Sequence, residues 1–165
     1  MPVLLISGTP GAGKSTYARH LASQGWERIN HDKPGEGGSR LDGDWRKIFE
    51  VHPVDPARVK AFVEVARDSR IVVEFGFPVA WLGVAAELKR LGASVWWFDG
   101  DPVGCLVSWK EEWKGTQPES NWYRQYNSVK ENWAAIASVF EPNVLIARLP
   151  DRHLTPAEID AKIFP

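Results

Sequence analysis

Cysteine is almost absent from this sequence of 165 residues, which contains only Cys105. A single cysteine cannot form a disulfide within the chain, so we predict a reducing, cytoplasmic environment. Long apolar runs are also absent, and no stretch approaches the roughly 20 residues that a membrane-spanning helix needs. We therefore expect no membrane partner, and we interpret Cys105 as a packing residue rather than a reactive thiol.

The sequence also lacks an excess of charge of either sign. It has 20 Lys and Arg against 21 Asp and Glu, for a formal net charge of −1. Proteins that bind polynucleotides usually carry a basic surface, so any such contact has to come from a local patch. The length and the apolar fraction of 44% are typical of a globular chain, and we predict a single domain over residues 1–165.

Glycine, by contrast, is concentrated near the start of the chain. Residues 8–15 read G-T-P-G-A-G-K-S, the complete phosphate-loop pattern G-x-x-x-x-G-K-[ST]. The glycines let the backbone wrap around phosphates, the lysine reaches the β- and γ-phosphates, and the serine hydroxyl binds Mg²⁺. We predict that a nucleoside triphosphate with Mg²⁺ binds to Gly8, Thr9, Pro10, Gly11, Ala12, Gly13, Lys14, Ser15 and Thr16.

The flanking sequence fits such a loop, because a short apolar strand precedes it and a helix follows it. The same alternation continues along the chain. Strands are predicted at 3–7, 27–30, 70–75, 94–98 and 143–147, and helices at 15–24, 56–69, 79–91, 102–113, 122–139 and 155–164. This pattern predicts an α/β fold with a five-stranded parallel sheet and helices on both faces. The polar, glycine-rich stretch 31–44 is interpreted as a mobile loop at the carboxyl edge of the sheet.

Two carboxylates follow predicted strands at the edge where open α/β folds bind ligands. Asp32 comes just after the second strand, where a kinase needs a base for the proton of the acceptor hydroxyl. Asp32 is equally compatible with a turn or a helix cap. Glu74 ends the third strand and is a candidate for Mg²⁺, held directly or through water, or for the acceptor.

A third candidate group lies in the stretch W-K-E-E-W-K-G-T, residues 109–116. Lys110 and Lys114 are four residues apart and share one helix face. Two cations beside a triphosphate would stabilise the charge that develops on the transferring phosphoryl group. The alternative is a solvated amphipathic helix that carries Lys–Glu pairs.

Together these residues resemble the small P-loop kinases, and among them the kinase domain of phage polynucleotide kinases. The resemblance rests on residues 8–19, on I-N-H-D at 29–32, and on W-K-G-T at 113–116 followed by Y-R-Q-Y at 123–126. It implies a three-layer P-loop sandwich with a small helical lid at about 108–122, and ATP as the phosphate donor. It also implies Asp32 as general base, and a catalytic set of cations: Lys14, Lys110, Lys114 and Arg124.

The chain departs from this family on the acceptor side. Lysines replace the lid arginines, Gly35 stands where the family often has an arginine, and the third strand ends in Glu74-Phe75-Gly76. We predict a Mg²⁺- and ATP-dependent kinase that acts on a hydroxyl of nucleic acid or of a nucleoside. The resemblance suggests a 5′-hydroxyl polynucleotide or a hydroxymethylated base in DNA, with Trp45 and Trp122 available for stacking.

Three alternatives stay open at this point. The acceptor of the kinase is a small nucleoside or a sugar in the first alternative. The protein is an ATPase or a nucleotide switch in the second, although the sequence has no N-K-x-D pattern and no D-x-x-G after the third strand. In the third it is a nucleotide-binding protein that serves a partner.

Overall fold

Five parallel strands form one sheet in the computed structural model, which describes residues 3–76 and 79–165. The strands are β1 (Val3–Gly8), β2 (Glu27–Asn30), β3 (Ile71–Glu74), β4 (Ser94–Gly100) and β5 (Val144–Arg148). Their spatial order is β2-β3-β1-β4-β5, so β1 pairs on both sides. All six residues of β1 are buried, and the phosphate loop therefore leaves the centre of the sheet.

Eight α-helices connect and cover these strands in the described part of the chain. They are α1 (Lys14–Ser23), α2 (Asp42–Lys47), α3 (Pro56–Val65), α4 (Leu82–Arg90), α5 (Pro102–Trp113), α6 (Glu119–Glu131), α7 (Trp133–Phe140) and α8 (Pro156–Ile163). Residues 48–50 and 79–81 form short 3₁₀ turns. The sequence predicted one helix over 122–139, but the structure ends α6 before Asn132 and begins α7 after it.

The alternation of side chains along β1 separates the helices into two layers. Leu4 and Ile6 face a core built with α1, α5, α6 and α8. Val3 and Leu5 face the opposite core, which contains residues of α2, α3, α4 and α7. The molecule is thus a three-layer sandwich. Within the described residues, no helix has the length and apolar character needed to cross a membrane.

The glycine-rich stretch was predicted to be a mobile loop, but the structure packs part of it on the sheet. Residues 33–39, here called the edge segment, follow the outer side of β2, where Gly38 forms a parallel bridge with Arg28. A Cβ atom on Gly37 would lie 2.0 Å from the Arg28 carbonyl oxygen, so only glycine allows this approach. The stretch then continues into α2, a helix that the sequence did not predict.

Candidate active site

The phosphate loop is a cradle with no room for side chains at its glycines. Gly8, Gly11 and Gly13 have positive φ angles of 148°, 86° and 97°. A Cβ on Gly11 would lie 1.9 Å from the Cys105 carbonyl oxygen, so α5 packs directly behind the loop. Cys105 is fully buried there, and burial raises the pKa of its thiol to about 12. The cysteine is therefore a packing residue, as predicted.

Hydrogen bonds from two other elements hold the loop in place. The Thr9 hydroxyl donates to Asp99 at the end of β4 over 2.7 Å. The Trp122 indole of α6 donates to the Pro10 carbonyl over 2.9 Å. The Lys14 ammonium donates to the carbonyl oxygens of Gly8 and Thr9 at 3.0 Å. The loop is thus anchored by both the sheet and a helix.

A cavity of about 580 Å³ lies on one side of the loop and is here called the β5-side cavity. Its walls are the loop, the first turns of α1, the outer half of α5, and the segment that follows β5. Cationic and polar side chains are frequent among its walls: Lys14, Ser15, Arg19, Arg148, Arg152 and His153. The carboxylates Glu111, Glu112 and Asp151 line the same cavity, and its four cationic side chains beside a glycine cradle suit a polyanion.

A second cavity of about 410 Å³ lies on the other side and is here called the Asp32 cavity. Its walls combine acidic, aromatic and amide side chains, among them Asp32, Trp109, Glu112, Trp113, Gln117 and Gln125. The two cavities share Gly11, Lys14, Ser15 and Glu112. A group bound in one cavity therefore meets a group bound in the other at Lys14 and Ser15.

Asp32 is the base candidate of its cavity, and the protein perturbs it. The cavity walls remove water from the carboxyl group and raise the pKa of Asp32, while the Lys14 ammonium and an amide hydrogen bond from Gly76 oppose that rise. Burial also lowers the pKa of Lys14, which the Asp32 carboxylate opposes. A Cβ on Gly76 would lie 2.4 Å from Asp32 Oδ2, so the carboxylate occupies the space that this glycine leaves.

The structure does not bring the other predicted cations to either cavity. Lys110 forms a salt bridge with Glu119 at 2.9 Å and is exposed. Lys114 is an exposed residue at the end of α5, with a left-handed φ of 46°. Arg124 is exposed and donates to Asn121. Their role as phosphate-binding residues stays a prediction.

Glu74, the candidate for Mg²⁺, lies in a buried ion pair instead. It is 3% exposed, and Arg28 Nε donates to its Oε1 over 2.5 Å. Glu74 lines neither cavity. The pairing has a simple physical cause, because a buried carboxylate needs a countercharge and Arg28 stands on the neighbouring strand. Its metal role stays a prediction.

The expectation that Trp45 and Trp122 are available for stacking on an acceptor is wrong. Both are core residues, with exposed fractions of 0% and 1%. Trp45 packs against Phe62 and Phe75, and Trp122 stacks on Tyr126 at 4.7 Å. The tryptophans that line the Asp32 cavity are Trp109, which is 4% exposed, and Trp113, which is half-buried.

The sequence did not predict the polar residues at the end of β5 and after it that line the β5-side cavity. It also did not predict several polar cavity residues on α5 and α6. Arg148 hydrogen-bonds the Ser108 hydroxyl at 3.1 Å, and His153 Nε2 lies 3.0 Å from that same oxygen. The carboxyl end of β5 was itself a signal, since every strand of a parallel sheet ends at the ligand-binding edge. Glu112 had no such signal, because helical spacing alone does not tell which face meets the loop.

Comparisons with known proteins give a fold but no family. No family model and no curated protein matches the sequence. Among solved structures, shikimate kinase from Acinetobacter baumannii in complex with shikimate is similar, with a TM-score of 0.57 and 19% identity over 99% of this chain and 90% of that chain. A gluconokinase from Sinorhizobium meliloti has a TM-score of 0.56 and 16% identity over 98% of this chain and 88% of that chain.

Identities of this size establish the architecture alone, and the resemblance to phage polynucleotide kinases stays a prediction. The sheet of five parallel strands, its two helical layers and the phosphate loop after the central strand agree with these neighbours. The chain has the three-layer α/β fold of the small P-loop kinases.

Proposed function

We propose that this protein is an ATP-dependent kinase that phosphorylates the hydroxyl group of a small acceptor, and that a nucleoside fits the acceptor cavity best. The observation that carries the proposal is the meeting of the two cavities at Lys14 and Ser15, with Asp32 in only one of them. This arrangement separates a site for the phosphate donor from a site for the acceptor.

The residues around the loop fit a nucleoside triphosphate with Mg²⁺. Because the loop glycines carry no side chains, the phosphates of a ligand can approach the backbone of the loop directly. Lys14 and Arg19 line the cavity beside the loop. Ser15 would hold Mg²⁺ through its hydroxyl group, and the bound ion would neutralise charge on the phosphates. ATP would thus occupy the β5-side cavity with its terminal phosphate toward Asp32.

The reaction follows from the position of Asp32. Its carboxylate accepts the proton of the acceptor hydroxyl as that oxygen forms a bond to the γ-phosphorus. The bond from this phosphorus to the β–γ bridging oxygen breaks, and the electron pair leaves with ADP. The raised pKa of Asp32 makes the carboxylate a stronger base than an ordinary aspartate. Lys14 stabilises the negative charge on the phosphoryl oxygens.

The lining of the Asp32 cavity supports a nucleoside over a polynucleotide. Polynucleotides are bound along rows of cations, whereas the described residues here offer Lys14 and Lys33 against Asp32 and Glu112. The Lys33 ammonium also lies 3.6 Å from Glu36 and 5.0 Å from the centre of the Trp113 ring. A cavity of about 410 Å³ suits a molecule of nucleoside size.

Side-chain chemistry in the same cavity favours a planar base over a sugar alone. Trp113 is half-buried and offers an aromatic surface to the cavity, whereas Trp109 is 4% exposed and belongs mainly to the core. The amides of Gln117 and Gln125 carry both donors and acceptors, which match the edge of a nucleobase. A sugar acceptor is the competing small-molecule candidate, and it would use the aromatic rings without needing the amides.

A transfer assay with γ-labelled ATP tests the proposal. The panel contains nucleosides, sugars, a 5′-hydroxyl oligonucleotide, DNA with hydroxymethyluracil, and water alone. We expect label on a nucleoside. Label on a sugar or on an oligonucleotide would identify that molecule as the acceptor and contradict the proposed nucleoside. Release of free phosphate with every acceptor would instead identify an ATPase and contradict the kinase.

The Asp32→Asn variant tests the base assignment. We expect it to bind ATP with unchanged affinity and to lose transfer by about 100-fold or more, since general base catalysis contributes about 10²–10⁴-fold. Exposed Asp68 supplies the matched control, and Asp68→Asn should transfer normally. Normal transfer by Asp32→Asn would show that another group takes the proton.

A further inference from the structure

The segment that carries Asp32 is held by an arginine that lies outside both cavities. Arg46, on α2, donates from Nη1 to the His31 carbonyl and from Nη2 to the Asn30 carbonyl, each over 2.8 Å. These carbonyls belong to the two residues that precede Asp32. Arg46 itself is absent from the lining of both cavities.

The guanidinium of Arg46 is itself oriented by a carboxylate one helical turn earlier. Asp42 accepts from Arg46 Nε over 3.1 Å and from Nη2 over 3.3 Å. The planar guanidinium thus binds a carboxylate and two successive backbone carbonyls at once. A lysine has one ammonium centre and no planar fork, so it cannot reproduce this set of contacts.

Four further hydrogen bonds fix the same short segment. The Asn30 side-chain oxygen accepts the backbone N–H groups of Asp32 and Lys33 at 3.0 and 3.1 Å. The His31 amide donates to the Glu74 carbonyl over 2.9 Å. Trp45, the neighbour of Arg46 on α2, donates its indole N–H to His31 Nδ1 over 3.1 Å. The helix therefore holds both the backbone and a side chain of this segment.

We propose that Arg46 is a positioning residue for phosphoryl transfer, which holds the backbone before Asp32 so that its carboxylate faces the acceptor hydroxyl. This inference rests on the proposed function for its kinetic consequences. A displacement of a catalytic group by about 1 Å can cost about 10²-fold in rate, so loss of the two carbonyl contacts acts on turnover. ATP binding is expected to stay unchanged, because Arg46 lines neither cavity.

The experiment compares Arg46→Met and Arg46→Lys with the matched control Arg58→Met. Arg58 also donates from a guanidinium to a backbone carbonyl and a carboxylate, those of Lys47 and Glu50, but it does not contact the Asp32 segment. We expect kcat to fall about 10- to 100-fold in both Arg46 variants, with KM for ATP changed less than twofold. Arg58→Met is expected to keep the kcat of the unmodified protein.

A pH profile separates positioning from a loss of stability. The charged groups around Asp32 are Lys14 on α1, the adjacent Lys33, Arg46 on α2 and Glu112 on α5, and removal of the Arg46 charge takes away one influence that lowers the pKa of Asp32. The acid limb of kcat is therefore expected to move to higher pH in Arg46→Met. The acid limb is expected to move less in Arg46→Lys, because this variant keeps the positive charge. Arg46→Lys also keeps the test available if Arg46→Met folds poorly.

Hydrogen exchange provides a readout that does not depend on activity. We expect the amides of Asp32 and Lys33 to exchange at least tenfold faster in both Arg46 variants and at the original rate in Arg58→Met. Unchanged exchange and unchanged kcat in folded Arg46 variants would overturn the positioning role. Faster exchange in a protein that transfers phosphate to no acceptor would instead show that the segment is held as proposed while the proposed function fails.

Discussion

Gly76 lies against the carboxylate of Asp32, and one added methyl group would enter the space of the carboxylate oxygens. The Cβ of an alanine there would lie 2.4 Å from Oδ2. We expect Gly76→Ala to lower kcat about 10- to 100-fold, because Asp32 has to move, and to leave the affinity for ATP within about twofold. Steady-state kinetics and calorimetric titration with an ATP analogue measure the two effects.

Gly43 gives the matched control for that substitution. It lies in α2, and a Cβ there would have no heavy atom within 4 Å, so Gly43→Ala should leave kcat unchanged. Equal losses in Gly43→Ala and Gly76→Ala would show that the contact with Asp32 is not what matters.

His31 makes the stability of the protein depend on pH. Burial lowers the pKa of His31 to about 4, with a further contribution from Arg46, and Trp45 donates to its Nδ1. The unfolded chain binds a proton on this residue near pH 6.5, whereas the folded protein resists protonation until about pH 4. The contribution of His31 to stability is therefore complete above about pH 6.5 and is lost as the pH falls toward 4.

Urea denaturation at pH 7.5 and pH 5 measures this dependence. We expect the unmodified protein to lose more unfolding free energy between the two values than His31→Gln does. Exposed His52 is the control, and His52→Gln should keep the dependence of the unmodified protein. An equal pH dependence in all three proteins would contradict the assignment to His31.

At the scale of elements, α6 reaches the phosphate loop through one hydrogen bond. The Trp122 indole satisfies the Pro10 carbonyl, and Trp122→Phe would leave that buried acceptor without its partner. Such a loss costs about 1–3 kcal/mol, and we expect ATP binding to weaken up to about tenfold as the loop loses this anchor. Calorimetric titration with an ATP analogue measures the affinity.

Trp96 offers a matched control for Trp122. Its indole also donates over 3.0 Å, but to the Ser94 hydroxyl of β4 rather than to the phosphate loop. Trp96→Phe should bind the analogue as the unmodified protein does. If Trp122→Phe binds equally well, α6 does not contribute to the affinity of the loop.

Some helices and strands could be predicted from the sequence, and others could not. The strand, loop and helix over residues 3–23 were predicted correctly, because all their signals lie next to one another in the chain. The helix α2 was missed because it is six residues long and its apolar contacts, such as that of Trp45 with Phe62, join distant parts of the sequence. Arg46 was missed for the same reason, since its partners are carbonyl groups that no sequence pattern marks.

At the scale of the whole molecule, a buried ion pair joins two strands and the edge segment. Arg28 bonds Glu74 within the sheet and also Glu36 of the edge segment at 3.1 Å. We expect Arg28→Met to reduce the unfolding free energy by about 3–5 kcal/mol, because Glu74 is left buried without a countercharge. Urea denaturation of Arg28→Met measures this loss.

The double variant Arg28→Met/Glu74→Met tests the cause of that loss. It removes both charges, and we expect it to recover most of the stability that Arg28→Met loses. No recovery would show that the packing of Arg28, rather than its charge, is the main contribution. A higher Mg²⁺ requirement for transfer in the double variant would support the predicted metal role of Glu74.

The architecture as a whole was more predictable than the site. Alternating strands and helices predicted the parallel sheet, and the structure buries all four residues of β3, including the β-branched Val72 and Val73. The cations of the lid region were predicted from helical spacing and from the resemblance, and the structure instead pairs Lys110 with Glu119. Side-chain direction on an exposed helix depends on neighbours that the local sequence does not specify.

The edge segment has a consequence for how acceptor preference can change. These residues follow Asp32 directly, yet they also cover the outer backbone of β2, where Gly37 makes the close approach and Gly38 forms the bridge with Arg28. Random replacement of this segment to admit new acceptors would expose an unpaired strand to other copies of the chain and promote aggregation. Variation of acceptor preference is therefore more accessible through Gln117, Gln125 and Trp113, which line the Asp32 cavity and cover no strand edge.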